Sequence, residues 1–291
     1  MSDTVIDPAP KPDGSPSASL VVACVQPTSA LSSADNLADC LRIARDADSR
    51  GVRLLVFPES ASSRSDDVSV ATEAQALDGP FLSGLIAGLA DLDMTVVCGV
   101  TEATVTEADQ EGRPYNTLVA FRSGAVIAVY RKMHLYDAAG MRESDTFSPG
   151  DGPVSTFDVD GFRVGMMTCY DIRFPELARL LAVDGADVIA VPTSWVRGPL
   201  KEEQWLTLCA ARAIENTVYL LGAAQTGGLR IGRSVVVAPD GVVQSALGSE
   251  EDVLVSSLSR SRLDDVRRAF PLLAQRRFTV STTARERTAS P

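Results

Sequence analysis

A cysteine at the end of a predicted strand is the residue of this chain best placed to act as a nucleophile. The segment GMMTCYDIRFPE, Gly165 to Glu176, changes from apolar to polar residues at Cys169. The run Val164 to Thr168 predicts a strand, and Asp171 to Glu176 predict a turn into a helix. A cysteine at such an elbow lies near helix N-terminal dipoles that favour the thiolate. The alternative is a packing role, which most cysteines at the end of an apolar strand have.

Two further ionisable residues follow predicted strands. Glu59 comes after the apolar run LLVFP, and Lys132 follows VIAVYR. Because the carboxyl ends of strands gather at one rim of a sheet, these side chains can converge with Cys169. A cysteine nucleophile needs a proton acceptor and a group that holds negative charge. We therefore expect Glu59, its pKa raised by burial, to be the base and Lys132 to favour the thiolate.

Each of these residues also has a structural interpretation. Glu59 after a proline can cap a helix or lie in a solvated turn, and Lys132 with its neighbouring arginine can lie on the surface. His134 is the chain's one histidine. It can act as a general base, or it can orient the loop that follows Lys132. The spacing alone leaves these alternatives open.

The predicted elements form two similar halves that are built from strands, helices and hairpins. The hairpin turns are marked by Ser123-Gly124, Asp160-Gly161 and Asp240-Gly241. Near-continuous apolar strands, with helices on one face of each sheet, predict an α/β fold. We expect a four-layer α-β-β-α sandwich with two sheets face to face and helices outside. Residues 20–273 form this one domain, after a polar segment, 1–19, that is expected to be disordered.

Composition excludes several classes of function. The 291-residue chain has a formal net charge of −11, which argues against nucleic acid or an anionic membrane surface as partner. No apolar run reaches membrane-spanning length. The five cysteines are widely spaced without a CxxC pair, which argues against disulfides and zinc and predicts a reducing compartment. The arginines towards the carboxyl end are expected to be solvated charges: Arg260, Arg262, Arg267, Arg268, Arg276 and Arg277.

Three segments of the chain resemble the signature blocks of the nitrilase (carbon-nitrogen hydrolase) superfamily. They are FPES at Phe57 to Ser60, YRKMHL at Tyr130 to Leu135 and CYDIRFPEL at Cys169 to Leu177. The blocks occur in the family's order, and the resemblance runs from about Leu20 to Leu273. It implies the α-β-β-α sandwich and a Glu-Lys-Cys amidase chemistry without a metal or an organic cofactor.

The resemblance also implies roles for individual residues. Glu59 would be the general base and Cys169 the nucleophile that forms a thioester. Lys132 and the backbone N–H of Tyr170 would stabilise the oxyanion. Glu143, which precedes the SPG segment, matches a second glutamate that positions the substrate and the lysine.

Substrate preference follows from weaker signals. CYDIRFPE and KMHLYD resemble the branch that contains omega-amidases and deaminated-glutathione amidases. Arg173 can bind a substrate carboxylate, or it can hold the elbow through Asp171 or Glu176, which is the favoured interpretation. The residues Tyr170, Thr193, Ser194 and Trp195 follow strand ends and are expected to form pocket walls. The chain departs from omega-amidases after the strand that precedes Trp195. It has WVRG where they usually have small residues with Phe, and EQW where they have His-Trp.

These observations predict an amidase that releases ammonia from a small aliphatic, carboxylate-bearing amide, with water as the second substrate. A nitrile or an N-carbamoyl compound is the alternative substrate, and a non-catalytic or thiol-sensing protein is the alternative of another class. The CYD segment lowers the nitrile alternative, because nitrilases often have Cys-Trp-Glu there. The resemblance further implies a cytoplasmic homodimer or higher homo-oligomer. The tail, 274–291, is expected to cross to the partner or to be disordered.

Overall fold

The fold is built from fourteen strands and five α-helices among the residues that the computed structural model describes, which are 19–63, 74–104, 112–152 and 154–280. The strands are β1 Ser19–Gln26, β2 Leu54–Val56, β3 Thr95–Glu102, β4 Tyr115–Arg122, β5 Ala125–Arg131, β6 Asp137–Ala138, β7 Met141–Arg142, β8 Thr156–Val159, β9 Phe162–Met166, β10 Val188–Thr193, β11 Tyr219–Ala224, β12 Val235–Val237, β13 Val243–Ala246 and β14 Asp252–Ser259. The helices are α1 Ser33–Ser49, α2 Pro80–Gly88, α3 Pro175–Val183, α4 Lys201–Asn216 and α5 Arg260–Ala269.

Two six-stranded sheets contain twelve of these strands. The first has the order β14-β1-β2-β3-β4-β5 and the second the order β13-β12-β11-β10-β9-β8. In the first sheet, β1, β2 and β3 are parallel, and β5 runs the same way because both β3–β4 and β4–β5 are antiparallel. In the second sheet, β9, β10 and β11 are parallel. The carboxyl ends of β2 and β5 therefore lie at one rim of the first sheet.

The alternation of side chains along β1 shows how the layers pack. Leu20, Val22 and Cys24 belong to the core that the two sheets share. Ala23 and Val25, which point to the other face, pack in a separate core with residues of α1 and α2. Because successive side chains of a strand point to opposite faces, one apolar strand serves both layers.

The second sheet is covered on its outer face by α3 and α4. The approach of α4 is close at Gly222 of β11, where an added Cβ would lie 2.6 Å from the ring of Trp205. Trp205 is fully buried, and its Nε1 donates to the carbonyl of Arg233 at 2.9 Å. Together with α1 and α2 on the first sheet, these helices complete the four layers, and the predicted α-β-β-α sandwich is confirmed.

The three predicted hairpins are present. Ser123 and Gly124 have φ values of +49° and +79°, and Asp160 and Gly161 have +45° and +81°. Positive φ at both central residues is the geometry of the type I′ turn, which suits the twist of the flanking strands. The segment between β5 and β8 is more ordered than its sequence indicated. It contains the short hairpin β6–β7 and a 3₁₀ turn, Glu143–Asp145.

The expectation of solvated arginines near the carboxyl end is wrong for two of them. Arg260 is buried and its Nη2 lies 2.9 Å from Oδ2 of the fully buried Asp187, while Arg267 Nη1 lies 2.6 Å from Oδ1. A buried carboxylate requires such partners, because an unpaired charge is costly in the interior. These ion pairs attach α5 to the start of β10.

Both ends of the chain lie partly outside the described residues. Within the predicted amino-terminal segment 1–19, residues 1–18 lie outside the described residues and Ser19 begins β1. Of the tail 274–291, residues 274–280 are described and mostly exposed, and 281–291 lie outside. None of the helices in the described ranges is long and apolar enough to span a membrane.

Candidate active site

The structure brings the three residues predicted from strand ends into one cavity of about 300 Å³. Glu59 follows β2, Lys132 follows β5 and Cys169 follows β9 of the other sheet. Glu143, at the start of the 3₁₀ turn after β7, lines the same cavity. All four side chains therefore converge, although they lie far apart in the sequence.

Hydrogen bonds hold both carboxylate oxygens of Glu59. Its Oε1 accepts from Asn116 Nδ2 at 2.7 Å and from Lys132 Nζ at 2.9 Å. Its Oε2 accepts from the backbone N–H of Ser194 at 2.7 Å. The carbonyl oxygen of Glu59 accepts from Gln225 Nε2 at 2.9 Å, which also fixes the backbone. A buried carboxylate with this many donors is stabilised in its ionised form.

Lys132 is held between two carboxylates. Besides Glu59, its Nζ lies 2.9 Å from Oε1 and 2.8 Å from Oε2 of Glu143. Glu143 is fixed in turn by the backbone N–H of Tyr136, which donates to Oε2 at 2.6 Å. Asn116 Nδ2 reaches Oε1 of Glu143 at 3.2 Å, so that one amide group joins both glutamates.

The pKa shifts of these groups correct two expectations about the resting site. Burial acts to raise the pKa of Glu59, but the charge and hydrogen bond of Lys132, with Asn116, hold it below its usual value. Burial acts to lower the pKa of Lys132, but Glu143 and Glu59 hold it well above its usual value. Burial and the charge of Glu59 raise the pKa of the Cys169 thiol to about 12, against the lowering effect of Lys132. The resting pair is thus a carboxylate and a thiol, and the expected thiolate is not favoured.

Cys169 has an unusual backbone geometry. Its φ is +45°, in the left-handed region that costs energy for a residue with a Cβ. It begins a five-residue 3₁₀ helix, Cys169–Arg173. The turn is held by Asp171, fully buried, which accepts from the backbone N–H of Thr168 at 2.9 Å and from the Tyr130 hydroxyl at 2.7 Å. The strained backbone at Cys169 is therefore stabilised by the carboxylate of Asp171, two residues later.

His134 also helps to hold this turn, through its contacts with Asp171. Its Nδ1 lies 2.7 Å from Oδ1 of Asp171, and its backbone N–H donates to the same oxygen at 3.0 Å. Its ring stacks on Phe174 with centroids 3.7 Å apart. His134 does not line the cavity. Of the two interpretations of this histidine, the structure favours the orienting one.

The predicted pocket walls are only partly in the cavity. Tyr170, Ser194 and Trp195 line it. Thr193 is fully buried and does not line it. Arg173 also lies outside the lining, so the prediction that it contacts substrate is not supported.

Arg173 is instead part of the structure behind the wall. Its Nη2 donates to Gln204 Oε1 at 2.7 Å, and its guanidinium lies 5.1 Å from the Trp195 ring centroid. The expected partners Asp171 and Glu176 are not used. The reason is that α4 passes close to the elbow and offers an amide oxygen.

Several residues of the site were missed in the sequence. Asn116 lies within β4, where nothing in the alternation of side chains distinguishes a functional amide. Tyr136 and Lys201 line the cavity from the segment before β6 and from the first position of α4. The available signals were the length and irregularity of the loops beside them and, for Tyr136, its position in the KMHLYD segment. Among the described residues, no group of three or more His, Cys, Asp or Glu side chains could hold a metal ion.

Comparison with known proteins places the chain in a family. Residues 21–268 match the family model for carbon-nitrogen hydrolases. The chain is 38% identical over 242 residues to deaminated glutathione amidase of Escherichia coli O157:H7, covering 82% of this chain and 90% of that protein. It is 31% identical over 261 residues to an omega-amidase of Mus musculus, covering 85% and 91%.

A solved structure is also similar. It is an amidase of the nitrilase superfamily from Nesterenkonia sp. AN1, in a glutamate-to-glutamine mutant with the acetamide moiety of fluoroacetamide covalently added at the active-site cysteine. The TM-score is 0.75 at 27% identity, and the match covers 92% of this chain and 96% of that one. Because the family model and these relatives match most of the chain, the chain belongs to the carbon-nitrogen hydrolase family.

Proposed function

We propose that the chain is a cysteine-dependent amidase that hydrolyses a small aliphatic, carboxylate-bearing amide through a thioester and releases ammonia. The observation that carries the proposal is the convergence of Cys169 with the hydrogen-bonded pair Glu59–Lys132 in one cavity. The names of the similar amidases support it. So does the covalent adduct on the active-site cysteine of the Nesterenkonia enzyme.

In the first step, Glu59 takes the thiol proton as the sulfur of Cys169 bonds to the amide carbon. The carbonyl oxygen becomes an oxyanion, stabilised by Lys132 and by the backbone N–H of Tyr170. Donors of this kind are each worth about 3–4 kcal/mol. As Lys132 turns its charge to the oxyanion, its effect on Glu59 weakens and the pKa of Glu59 rises, which favours the proton transfer.

In the second step, the protonated Glu59 gives its proton to the amide nitrogen. The carbon–nitrogen bond breaks, ammonia leaves, and the acyl group remains on Cys169 as a thioester. Water then replaces the amine. Glu59 removes a proton from the water as its oxygen attacks the thioester, and it returns this proton to the sulfur when the carbon–sulfur bond breaks.

Glu143 has a positioning role in this scheme. It holds Lys132 through two oxygens and is itself held by Tyr136. The ammonium therefore keeps a carboxylate partner when it shifts towards the oxyanion. Without Glu143, Lys132 would be drawn to Glu59 alone, and the base would be weaker.

Ammonia release from a panel of omega-amides, nitriles and ureides tests the proposal, with the wild type and the variants Cys169→Ala and Glu59→Gln. We expect turnover of an amide by the wild type and none by Cys169→Ala. Mass spectrometry of Glu59→Gln is expected to trap the acyl group on Cys169, and its mass identifies the acid. Equal turnover by Cys169→Ala would exclude this cysteine as nucleophile. Turnover of a nitrile or ureide instead favours the corresponding alternative substrate.

A thiol sensor is the alternative of another class. It predicts no turnover of any panel member, together with peroxide-dependent modification of Cys169. The raised pKa of the thiol disfavours it, because oxidation proceeds through the thiolate. Homodimer formation and a cytoplasmic location stay predictions, and so does the domain range 20–273.

A further inference from the structure

We propose that Lys201 binds the negatively charged group of the substrate and so determines the preference for carboxylate-bearing amides. The inference rests on the proposed amidase function, and it replaces Arg173, which does not line the cavity. The chain has three lysines, Lys11, Lys132 and Lys201. Two of them line this cavity, and Lys132 is the one that is bound to the catalytic glutamates.

The contacts of Lys201 leave its charge available to a ligand. Its Nζ donates to the hydroxyl of Tyr136 at 3.0 Å, which is a neutral partner. Among the residues that the structure describes, no carboxylate oxygen lies within 4.0 Å of this ammonium. The glutamate that follows it, Glu202, is paired with Arg233 at 2.7 Å. A cation in a cavity wall without an anionic partner favours an anionic ligand.

Aromatic rings fix the position of this ammonium. Nζ lies 5.0 Å from the ring centroid of Tyr136 and 5.2 Å from that of Trp195. Trp195 Nε1 also donates to the carbonyl oxygen of Lys201 at 3.0 Å, which fixes the backbone. Such contacts reduce the mobility of a long side chain and the hydration of its charge, so less ordering is needed when a ligand binds.

Other cations line the cavity besides Lys201, which is the first residue of the 16-residue helix α4. The acidic residues of the first turn of this helix, Glu202 and Glu203, do not line the cavity. Arg230 lines the same cavity. Arg142, a further lining residue, is mostly exposed and paired with Asp145 at 3.4 Å.

The lysine is also connected to the catalytic residues. The ring of Tyr136 contacts that of Tyr170 edge to face, with centroids 4.9 Å apart, and Tyr170 directly follows Cys169. The backbone N–H of Tyr136 donates to Glu143. A carboxylate bound at Lys201 therefore lies beside Tyr136, whose backbone positions Glu143. The same segment thus contributes to binding the carboxylate and to positioning Lys132.

Binding measurements in the Cys169→Ala background separate this inference from the proposed chemistry. The ligands are omega-monoamides of straight-chain dicarboxylic acids with four to six carbons, each paired with a neutral amide in which an isopropyl group replaces the carboxylate. Calorimetry at low and high salt gives the affinities. We expect at least one monoamide to bind 10-fold or more tightly than its neutral partner, with a smaller difference at high salt.

Lys201→Met is expected to remove this preference while it changes the affinity for the neutral amide less than 3-fold. Lys201→Arg keeps the charge and is expected to keep part of the preference. The matched control is Arg173→Met, which removes a cation of similar reach behind the wall and is expected to leave the ratio unchanged. The inference is overturned if no monoamide is preferred, if Lys201→Met keeps the ratio, or if Arg173→Met lowers it equally. If the wild type hydrolyses no amide while the preference persists, the proposed function fails and the subsite stands.

Discussion

Oε1 of Glu59 lies 2.9 Å from Nζ of Lys132, and both side chains are almost completely buried. The interaction is more than a structural ion pair, because its two members have opposite tasks in the proposed reaction. Glu59 must gain a proton while Lys132 keeps its own. Glu143, the second partner of the ammonium, allows this by holding Lys132 charged throughout.

Lys132→Met is predicted to lower the free energy of unfolding by about 3–5 kcal/mol at pH 7.5, because it leaves the buried carboxylate of Glu59 and the half-buried carboxylate of Glu143 without their cation. A dependence on pH should also appear between pH 7.5 and 5.5, where the contribution of Glu59 to the stability of the wild type is constant. In the wild type, the pKa of Glu59 lies below its ordinary 4.5, so its stabilisation is present above that pH and is lost as the pH falls. In the variant, burial dominates and raises the pKa, so stability increases as the pH is lowered.

Urea denaturation at pH 7.5 and 5.5 measures this effect. Arg42→Met is the control, because Arg42 forms an exposed pair with Asp39 on α1 and should leave the transition unchanged. A Lys132→Met protein with the same pH dependence as the wild type would contradict the prediction.

Alkylation of Cys169 by iodoacetamide is predicted to become faster with every unit of pH up to 9, without a plateau. The reason is that the thiolate is the reacting form and the pKa of the thiol is raised to about 12. Rates measured by peptide mass spectrometry give the profile, with the other four cysteines, all buried, as internal references. Glu59→Gln removes a charge that raises this pKa, so the variant should react several-fold faster at pH 8 although it has lost amidase activity. A plateau below pH 8 in the wild type would show a stable thiolate.

Asn116→Ala is predicted to lower kcat by about 10–100-fold, because one amide donates to both Glu59 and Glu143. The hydrogen bond from Asn116 lowers the pKa of Glu59, so its loss should move the acidic limb of kcat/KM to higher pH. A purely structural role would not move that limb. Asn216→Ala is the control, since it removes another buried amide, one that caps the last turn of α4 and lies outside the cavity.

The positions of the proposed catalytic residues could be predicted because each has a local signal. Glu59 and Cys169 follow apolar runs that end abruptly, and such runs become strands whose ends meet at a rim. Local sequence patterns did not predict that both sheets contribute to one site. That prediction came from the family resemblance, because no spacing along the chain fixes how β2 and β9 face each other.

The charge state and the supporting contacts could not be predicted in the same way. A raised or lowered pKa depends on burial and on partners such as Asn116, which come together only in the folded chain. The role of Lys201 could not be predicted for the same reason. Its position in the cavity wall depends on the turn before α4 and on its contact with the ring of Trp195. The error on Arg260 has this origin too, since its partner Asp187 is 73 residues away.

Gly99→Ala is predicted to impair both stability and activity, although β3 carries none of the side chains with a proposed catalytic role. A Cβ at Gly99 would lie 2.8 Å from Cα of Glu59, from the carbonyl oxygen of Pro58 and from the backbone nitrogen of Ser60. These are backbone atoms, so the end of β2 must shift, and overpacking of this kind costs about 1–3 kcal/mol. Because Glu59 accepts hydrogen bonds through both oxygens, even a small shift should also lower kcat, on the order of 10-fold or more. Gly152→Ala is the control, since a Cβ there meets no atom within 4 Å. Unfolding and turnover of both variants test the idea, and a Gly99→Ala protein that behaves like Gly152→Ala would contradict it.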